Sequence, residues 1–328
     1  MGIIFSSDVL RLDAEQEVGK ISERLKQIMT KQLKRRGLVV GLSGGIDSSV
    51  TAALAVNALG SDRVLALQMP ERHSAEETLQ LSGMVADHFG IEKIHEDITG
   101  ILEAVGCYTR YDEAVRKVIP EYGEGWKSKI VIPSVLETRG FSLFSVVAES
   151  PDRNLVKERL PLKAYLEIVA ATNFKQRIRK MLEYYHADRL NYAVSGTPNR
   201  LEYDQGFFVK LGDGAADVKP IAHLYKSQVY QLAEYLGVPA GIRKRPPTTD
   251  TYSLAQGQDE FYFSLSYDKM DLCLYGKNNH IATKEVGKVL NLAPEQVQRV
   301  YDDIDTKRLT TRYLHLPGIL IDPVSEIQ

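Results

Sequence analysis

The sequence predicts an α/β fold, a doubly wound parallel sheet flanked by helices. Short apolar runs of strand length alternate with longer segments of helical periodicity, as in βαβ units. Glycines punctuate these segments, and no internal repeat or low-complexity linker interrupts them. With 328 residues, the chain is long enough to bury one large core.

The first part of the chain alternates helix and strand. The predicted elements are a helix at 14–36, a strand at 38–42, a helix at 48–60, a strand at 64–70, a helix at about 75–89 and a strand at 93–98. Val18, Ile21 and Leu25 recur at helical spacing in the first helix, and Gly37 ends it. The first two strands are continuous apolar runs, typical of strands buried on both faces of a parallel sheet. Ser74 is a favourable N-cap for the third helix.

The later part resumes this alternation after a weaker stretch at about 102–161, which we interpret as an insertion with some structure of its own. The predicted elements are a helix at about 165–190, strands at 191–196 and 218–224, and a helix at 225–238. From about 246 the chain is rich in loops, with helical patterns at 285–290 and 294–302. The simplest partition is one domain over 1–328 with this insertion and this C-terminal region.

Composition and charge narrow the class of protein. The formal net charge is −2, so no global field attracts the chain to nucleic acid or membrane. Cys107 and Cys273 lie far apart in sequence, and we interpret them as reduced cysteines without a metal. No apolar run approaches the ~20 residues that span a bilayer. Because the N-terminus also lacks a signal-peptide pattern, we predict a cytoplasmic protein.

The most specific motif is the segment Leu42–Ser49, between a predicted strand and a predicted helix. Its paired glycines let backbone N–H groups approach a phosphate, and the following helix adds its positive N-terminal end. Ser43, Ser48 and Ser49 supply hydroxyl donors. Asp47 places a carboxylate beside the phosphate site, which indicates that a cation such as Mg²⁺ joins the two. The segment therefore predicts a loop that binds the pyrophosphate of ATP.

A second polar group follows the strand predicted at 191–196, where α/β proteins place ligands. Its members are Thr197, Glu202, Lys210, Asp213 and Asp217, and Lys226 opens the next helix. The lysines can meet phosphates, and Glu202 can share a metal with Asp47. On composition alone, an ordinary solvated loop explains this group equally well.

These motifs resemble those of known families. The first loop resembles the SGGxDS loop of the N-type ATP pyrophosphatases, and the whole pattern resembles ammonia-dependent NAD synthetase. The further matching segments are Asn173–Arg177, Gly196–Glu202, Gly206–Asp217, Leu224–Gln228, Pro247–Thr248 and Asp259–Asp268. The resemblance implies an adenine nucleotide alpha-hydrolase-like fold and an amide ligase that converts deamido-NAD to NAD. In that reaction ATP adenylates the carboxylate and releases pyrophosphate; ammonia then displaces AMP.

The resemblance also implies a role for each matching position. The implied ATP-binding residues are Ser43, Gly44, Gly45, Asp47, Ser48, Ser49, Met69, Thr197, Lys226 and Thr248. The implied deamido-NAD-binding residues are Arg177, Lys210, Asp217 and Lys307. The implied Mg²⁺ ligands are Asp47 and Glu202, and the implied catalytic residues are Asp47, Lys210, Asp213 and Lys226.

The resemblance further implies a homodimer, for which the helices at 14–36 and 165–190 are candidate interfaces. The short segment before the loop leaves no room for a fused glutaminase. Ammonia is therefore either taken up free or supplied by a separate glutaminase subunit. The expected small-molecule partners are deamido-NAD, ATP and ammonia, with no membrane.

Three alternatives remain open from the sequence. The first alternative is a diverged ligase that acts on another carboxylate. It is motivated by three departures from the family pattern on the acyl-substrate side: the long stretch at 102–161, the segment 249–258 and Thr306. A tRNA-modifying ATP pyrophosphatase is the second, disfavoured by the balanced charge and by the lack of zinc-type cysteines. A nucleotide-sensing module is the third, and turnover is favoured instead by the joint presence of Asp47, Glu202, Lys210 and Lys226.

Overall fold

A computed structural model describes residues 5–132, 144–245, 248–249, 251–254, 256–257, 262–263 and 265–326. Four strands form a parallel sheet in the order β3-β2-β1-β7. These strands are β1 (Leu38–Gly41), β2 (Val64–Gln68), β3 (Glu92–His95) and β7 (Ala193–Ser195). Helices cover both faces, which confirms the predicted fold class.

The helices and the remaining strands follow in chain order. The helices are α1 (Ala14–Gln27), α2 (Ile46–Leu59), α3 (Glu76–Phe89), α4 (Thr99–Ala104), α5 (Cys107–Arg116), α6 (Leu162–Leu190), α7 (Arg200–Gln205), α8 (Lys226–Tyr235), α9 (Ala240–Arg243), α10 (Tyr267–Asn278), α11 (Thr283–Leu290) and α12 (Pro294–Thr311). The remaining strands are β4 (Lys127–Val131), β5 (Ser145–Glu149), β6 (Leu155–Arg159), β8 (Thr248–Thr249) and β9 (Gln256–Gly257).

The central strands are apolar because both of their faces are buried. On β1, Leu38 and Val40 contact the core beneath α1, α2, α3 and α8, whereas Val39 contacts the core beneath α4, α5 and α6. This alternation follows from the two-residue period of a strand. Polar side chains that bind a ligand are therefore expected at the ends of these strands.

Several predicted elements differ from those in the structure. The predicted helix at 14–36 is α-helical only to Gln27 and continues as six residues of π-helix. The N-cap of α3 is Ala75, and Ser74 instead accepts a hydrogen bond from the Glu71 N–H at 3.0 Å. The strand predicted at 218–224 is reduced to one bridge between Val218 and Ser195, because Pro220 interrupts it with no N–H to donate.

The predicted insertion at 102–161 contains α5 and an antiparallel sheet of β4, β5 and β6. Its apolar residues form a small core with the first turns of α6, including Ile130, Val146 and Ile168. The C-terminal helices α10, α11 and α12 form a further core. Within the described ranges, none of the helices combines the length and the apolar character that crossing a membrane requires.

Candidate active site

A cavity opens at the carboxyl ends of β1, β2 and β7, where open α/β sheets place their ligands. Its volume is about 460 Å³, within the ~300–1,000 Å³ typical of ligand pockets. The loop after β1, the end of β2, the inner side of α6 and the loop after β7 form its walls. The carboxyl ends of the strands, where the sequence predicted a ligand site, thus form a pocket of a size that suits a nucleotide.

The segment Leu42–Ser48 connects β1 to α2 and lines this cavity. Ser43 Oγ lies 3.1 Å from Ser48 Oγ, which donates to the Gly45 carbonyl at 3.1 Å. These bonds fold the loop over the start of α2, where no side-chain hydrogen bond caps the helix. Backbone N–H groups at an open helix N-terminus attract anions. The loop is therefore suited to bind phosphate.

Gly44 leaves no room for a side chain in this loop. Its φ is +71°, and a Cβ would lie 2.9 Å from Leu81 Cβ and 2.9 Å from the Thr78 carbonyl oxygen. We expect Gly44→Ala to lower the free energy of unfolding by about 1–3 kcal/mol and to weaken ATP binding, because the loop must move. Thermal unfolding and calorimetric titration with ATP measure the two effects. Gly60→Ala, at φ +86° with open space around it, is the control. Equal ATP affinity in both variants would contradict the steric argument.

Asp47, in the first turn of α2, lies at the centre of a polar cluster. Its Oδ2 pairs with Lys226 Nζ, and its Oδ1 accepts a hydrogen bond from Asn199 Nδ2 at 3.1 Å. Asn199 caps α7, and its own N–H donates to Glu202 Oε2 at 3.1 Å. The phosphate loop, α7 and α8 thus bring two carboxylates and one ammonium group to one side of the cavity.

The electrostatics of this cluster favour an added cation. Burial and the nearby Asp47 carboxylate raise the pKa of Glu202 above its usual value. Burial alone lowers the pKa of Lys226, but Asp47 and Glu202 outweigh it and raise that pKa. One lysine therefore serves two carboxylates. No group of three or more His, Cys, Asp or Glu side chains in the described ranges could hold a metal, yet Mg²⁺ commonly uses one or two carboxylates plus phosphate and water. The donor set fits Mg²⁺ bound together with ATP.

A buried residue that the sequence analysis missed, Asp271 on α10, holds the start of α8. Its two carboxylate oxygens accept hydrogen bonds from the N–H groups of Lys226 at 3.2 Å and Ser227 at 2.7 Å. Burial raises the pKa of Asp271 to about 6 despite these bonds. Asp271 thereby orients the helix turn that carries Lys226.

Asp271→Ala should lower the free energy of unfolding by about 1–3 kcal/mol, because two buried N–H donors lose their acceptor. Urea denaturation checks this expectation. Asp268→Ala, an exposed position in the first turn of the same helix, is the control and should cost only about 0.5 kcal/mol. Equal losses in the two variants would show that Asp271 does not hold α8.

A further group of charged residues lines the cavity, apart from Asp47, Glu202 and Lys226. Arg179, Lys180 and Glu183 of α6 and Asp213 from the loop after α7 line the cavity here. Lys180 Nζ donates to Glu183 Oε2 at 2.6 Å, and Asp213 Oδ1 accepts a hydrogen bond from the Val209 N–H at 2.7 Å. Only Asp213 was predicted from the sequence.

A second buried ion pair joins α6 to the segment after β2. Lys175 Nζ donates to Glu71 Oε1 at 2.8 Å and to the Thr251 carbonyl at 3.0 Å. The Tyr108 hydroxyl donates to Glu71 Oε2 at 2.7 Å. The Glu71 side chain is fully buried, and Lys175 lines the cavity. This pair ties the insertion side of the chain to the cavity wall.

The structure brings most predicted site residues to one cavity. Those that line it are Ser43, Gly44, Gly45, Asp47, Ser48, Met69, Thr197, Glu202, Asp213 and Lys226. Ser49 is buried behind the loop, where its hydroxyl donates to the Gly45 carbonyl at 2.8 Å. Thr248 belongs to β8, and its side chain lies outside the described residues.

The four residues predicted to bind deamido-NAD lie outside the lining of this cavity. Lys210 Nζ donates to the carbonyls of Tyr313 and Leu316 in the C-terminal segment, at 2.8 and 3.0 Å. Arg177 Nε donates to the Lys210 carbonyl, and Lys307 Nζ donates to the Tyr262 carbonyl. Asp217 Oδ2 accepts a hydrogen bond from the Val194 N–H. Their substrate-binding roles stay predictions.

Comparison with known proteins matches this arrangement to one family. The NAD synthase family model matches residues 17–121 and 147–312. The chain is 58% identical over 326 residues to the NH(3)-dependent NAD(+) synthetase of Rhizobium meliloti (strain 1021), covering 99% of this chain and 97% of the relative. It is also 58% identical over 318 residues to the NH(3)-dependent NAD(+) synthetase of Mesorhizobium japonicum, covering 97% of this chain and 100% of the relative.

Among solved structures, the NMN synthetase from Francisella tularensis shares the fold, with a TM-score of 0.66 and 23% sequence identity. The alignment covers 94% of this chain and 99% of that chain. At this identity the likeness supports the fold alone. The residues between the two ranges of the family match, 122–146, fall inside the segment predicted as an insertion.

Proposed function

Because the chain belongs to the NAD synthase family, we infer that it is an ATP-dependent amide ligase that converts deamido-NAD to NAD with ammonia. The reaction forms an acyl-adenylate and releases pyrophosphate, and the attack of ammonia then releases AMP. The observation that carries this conclusion is the contact of Asp47 in the phosphate loop with Lys226 and Asn199, on one side of a nucleotide-sized cavity.

The ATP half of the reaction follows from charge. The substrate carboxylate must attack the α-phosphorus of ATP, and both partners are anions. The open N-terminus of α2 and the buried ammonium of Lys226 offset this repulsion. No protein nucleophile is required, because positioning and electrostatics supply most of the rate in phosphoryl chemistry.

Asp47 and Glu202 are the residues that would hold Mg²⁺. An ion bound there would supply positive charge that offsets the charge of the phosphates. The raised pKa of Glu202 supports this assignment, because the neighbouring Asp47 carboxylate contributes to it and an added cation would offset that repulsion. Removing Mg²⁺ with EDTA should stop pyrophosphate release, and added Mg²⁺ should restore it. Undiminished release in EDTA would remove the metal from the proposal.

The proposed assembly is a homodimer that uses α6. This helix carries exposed apolar side chains at Leu162, Leu166, Met181 and Tyr185, which are 54–71% exposed. The other candidate helix, α1, instead buries its apolar stripe within the chain beside α2 and α8. The source of the ammonia, either free ammonia or a separate glutaminase subunit, stays a prediction. The cytoplasmic location also stays a prediction.

The proposed function is tested with purified protein, ATP, Mg²⁺, deamido-NAD and an ammonium salt. Equal yields of NAD, AMP and pyrophosphate are expected. The comparison substrate, tested in place of deamido-NAD, is the carboxylate precursor of NMN. We choose it because the NMN synthetase from Francisella tularensis shares the fold. Amidation of that precursor in place of deamido-NAD would support the diverged-ligase alternative. Tight tRNA binding with a steep salt dependence would revive the tRNA alternative.

A further inference from the structure

The cavity lining includes four charged residues that the ATP half of the reaction does not use. We call Arg179, Lys180, Glu183 and Asp213 the charged wall. All four line the cavity, and the side chains of Lys180 and Glu183 are only 6% and 8% exposed. Removing charged groups from water costs desolvation free energy, so we expect a chemical role for this group.

Glu183 is held in a defined position within the charged wall. Lys180 Nζ binds one carboxylate oxygen, Oε2, at 2.6 Å. The other oxygen lies against the end of β1, where a Cβ on Gly41 would come within 2.8 Å of Oε1. Gly41 directly precedes the phosphate loop. The carboxylate therefore lies beside the strand end that leads to the ATP site, and Asp213 lines the same cavity.

The second half of the reaction needs a proton acceptor. In neutral solution ammonia is mostly ammonium, a cation whose nitrogen has no free electron pair. Ammonium must therefore bind beside negative charge and lose a proton before it can attack the acyl-adenylate. A positioned carboxylate with a pKa near the working pH serves this purpose.

We propose that Glu183 accepts the proton of ammonium, with Asp213 as the second carboxylate facing the cation; this rests on the proposed function. One N–H bond breaks, the proton joins the Glu183 carboxylate, and the freed electron pair forms the C–N bond to the acyl carbon. The C–O bond to AMP then breaks. The nitrogen loses a second proton to water, and Glu183 returns its own proton to solvent.

The surroundings of Glu183 suit this role. Burial, opposed by Lys180 and Arg179 and reinforced by Asp213, raises the pKa of Glu183 above its usual value, which makes the carboxylate a better proton acceptor. Burial also raises the pKa of Asp213, but the N–H groups of Val209 and of Asp213 itself bind its carboxylate and favour its charged form. Lys219, in the segment between α7 and α8, interacts electrostatically with Lys180 and Asp213, and its pKa is lowered by burial and by Lys180.

The test compares ammonium with hydroxylamine, a nucleophile that is largely uncharged at neutral pH. Glu183→Gln keeps the shape of the side chain and an oxygen for Lys180. At neutral pH we expect kcat/KM for ammonium to fall by about 100-fold, while kcat/KM for hydroxylamine changes little. The residual ammonium activity should rise about tenfold per pH unit up to the pKa of ammonium itself, because only free ammonia then reacts.

Glu167→Gln is the matched control, because Glu167 lies on the same helix and pairs with Lys117 at the surface. Exchange of pyrophosphate into ATP that depends on deamido-NAD reports adenylation separately, and Glu183→Gln should retain it. An equal loss with ammonium and hydroxylamine, a loss of exchange, or an unchanged ammonium profile would each overturn the role of Glu183. Absence of exchange in the unmodified protein would instead refute the proposed function, and this inference with it.

Discussion

Lys226→Met is expected to lower the rate of pyrophosphate release by about 10²–10³-fold and the free energy of unfolding by about 3–5 kcal/mol. The Lys226 side chain is 2% exposed and pairs with Asp47, next to Glu202. Without the ammonium group, Asp47 loses its ion-pair partner beside Glu202, and ATP adds further negative charge. Chemical denaturation and a pyrophosphate-release assay measure the two losses.

A double variant separates stability from catalysis. In Lys226→Met/Asp47→Asn both partners of the ion pair are neutral, and Asn199 can still donate to the amide oxygen at position 47. We expect the double variant to be more stable than Lys226→Met alone and equally inactive. A double-mutant cycle gives the coupling. Additive stability losses would show that Lys226 and Asp47 do not stabilise each other.

Local signals predicted the sheet well, because they act within one strand or turn. The apolar runs that became β1, β2 and β7 are buried on both faces, and the glycine loop lies between β1 and α2 as expected. Where a single residue overrode the pattern, prediction failed. Pro220 removes a donor from an otherwise strand-like run at 218–224.

The site was predictable only as far as its motifs are continuous in sequence. Asp47, Glu202 and Lys226 were identified as one ATP site, and they line the same cavity. Asp271 carried no local signal, because its partners come from α8. Glu183 pairs with Lys180 one turn away on α6, but its position beside the end of β1 depends on tertiary packing. Such contacts depend on how α6 and α10 pack, which neither periodicity nor composition specifies.

Lys210 shows a second limit of sequence reasoning. A motif match specifies which residue occupies a position, but the direction of its side chain depends on neighbouring segments. Here the carbonyls of Tyr313 and Leu316 bind the Lys210 ammonium group, and His315 packs against Phe208 with ring centroids 5.1 Å apart. The C-terminal segment, for which no role was predicted, therefore controls where Lys210 lies.

Lys175→Met is expected to lower the free energy of unfolding by about 3–5 kcal/mol at neutral pH, because it leaves the fully buried Glu71 carboxylate without its counterion. Burial opposes ionisation of Glu71, but Lys175 and Tyr108 outweigh it and lower its pKa below the usual value. In the unmodified protein the pair therefore contributes stability above the ordinary glutamate pKa, and this stability is lost as pH falls through the lowered pKa.

Loss of Lys175 reverses the direction of the Glu71 pKa shift. Burial then raises this pKa above its usual value, and the folded state favours the protonated acid. The stability gap between variant and unmodified protein should thus shrink as pH falls through the acid range, which urea denaturation at several pH values can follow. Lys117→Met, which breaks a half-exposed pair with Glu167, is the control and should cost at most about 1 kcal/mol. Lys175→Met/Glu71→Leu should recover most of the lost stability, because no buried charge remains. A gap that does not change with pH, or no recovery in the double variant, would mean that Lys175 stabilises the fold through packing and not through its charge.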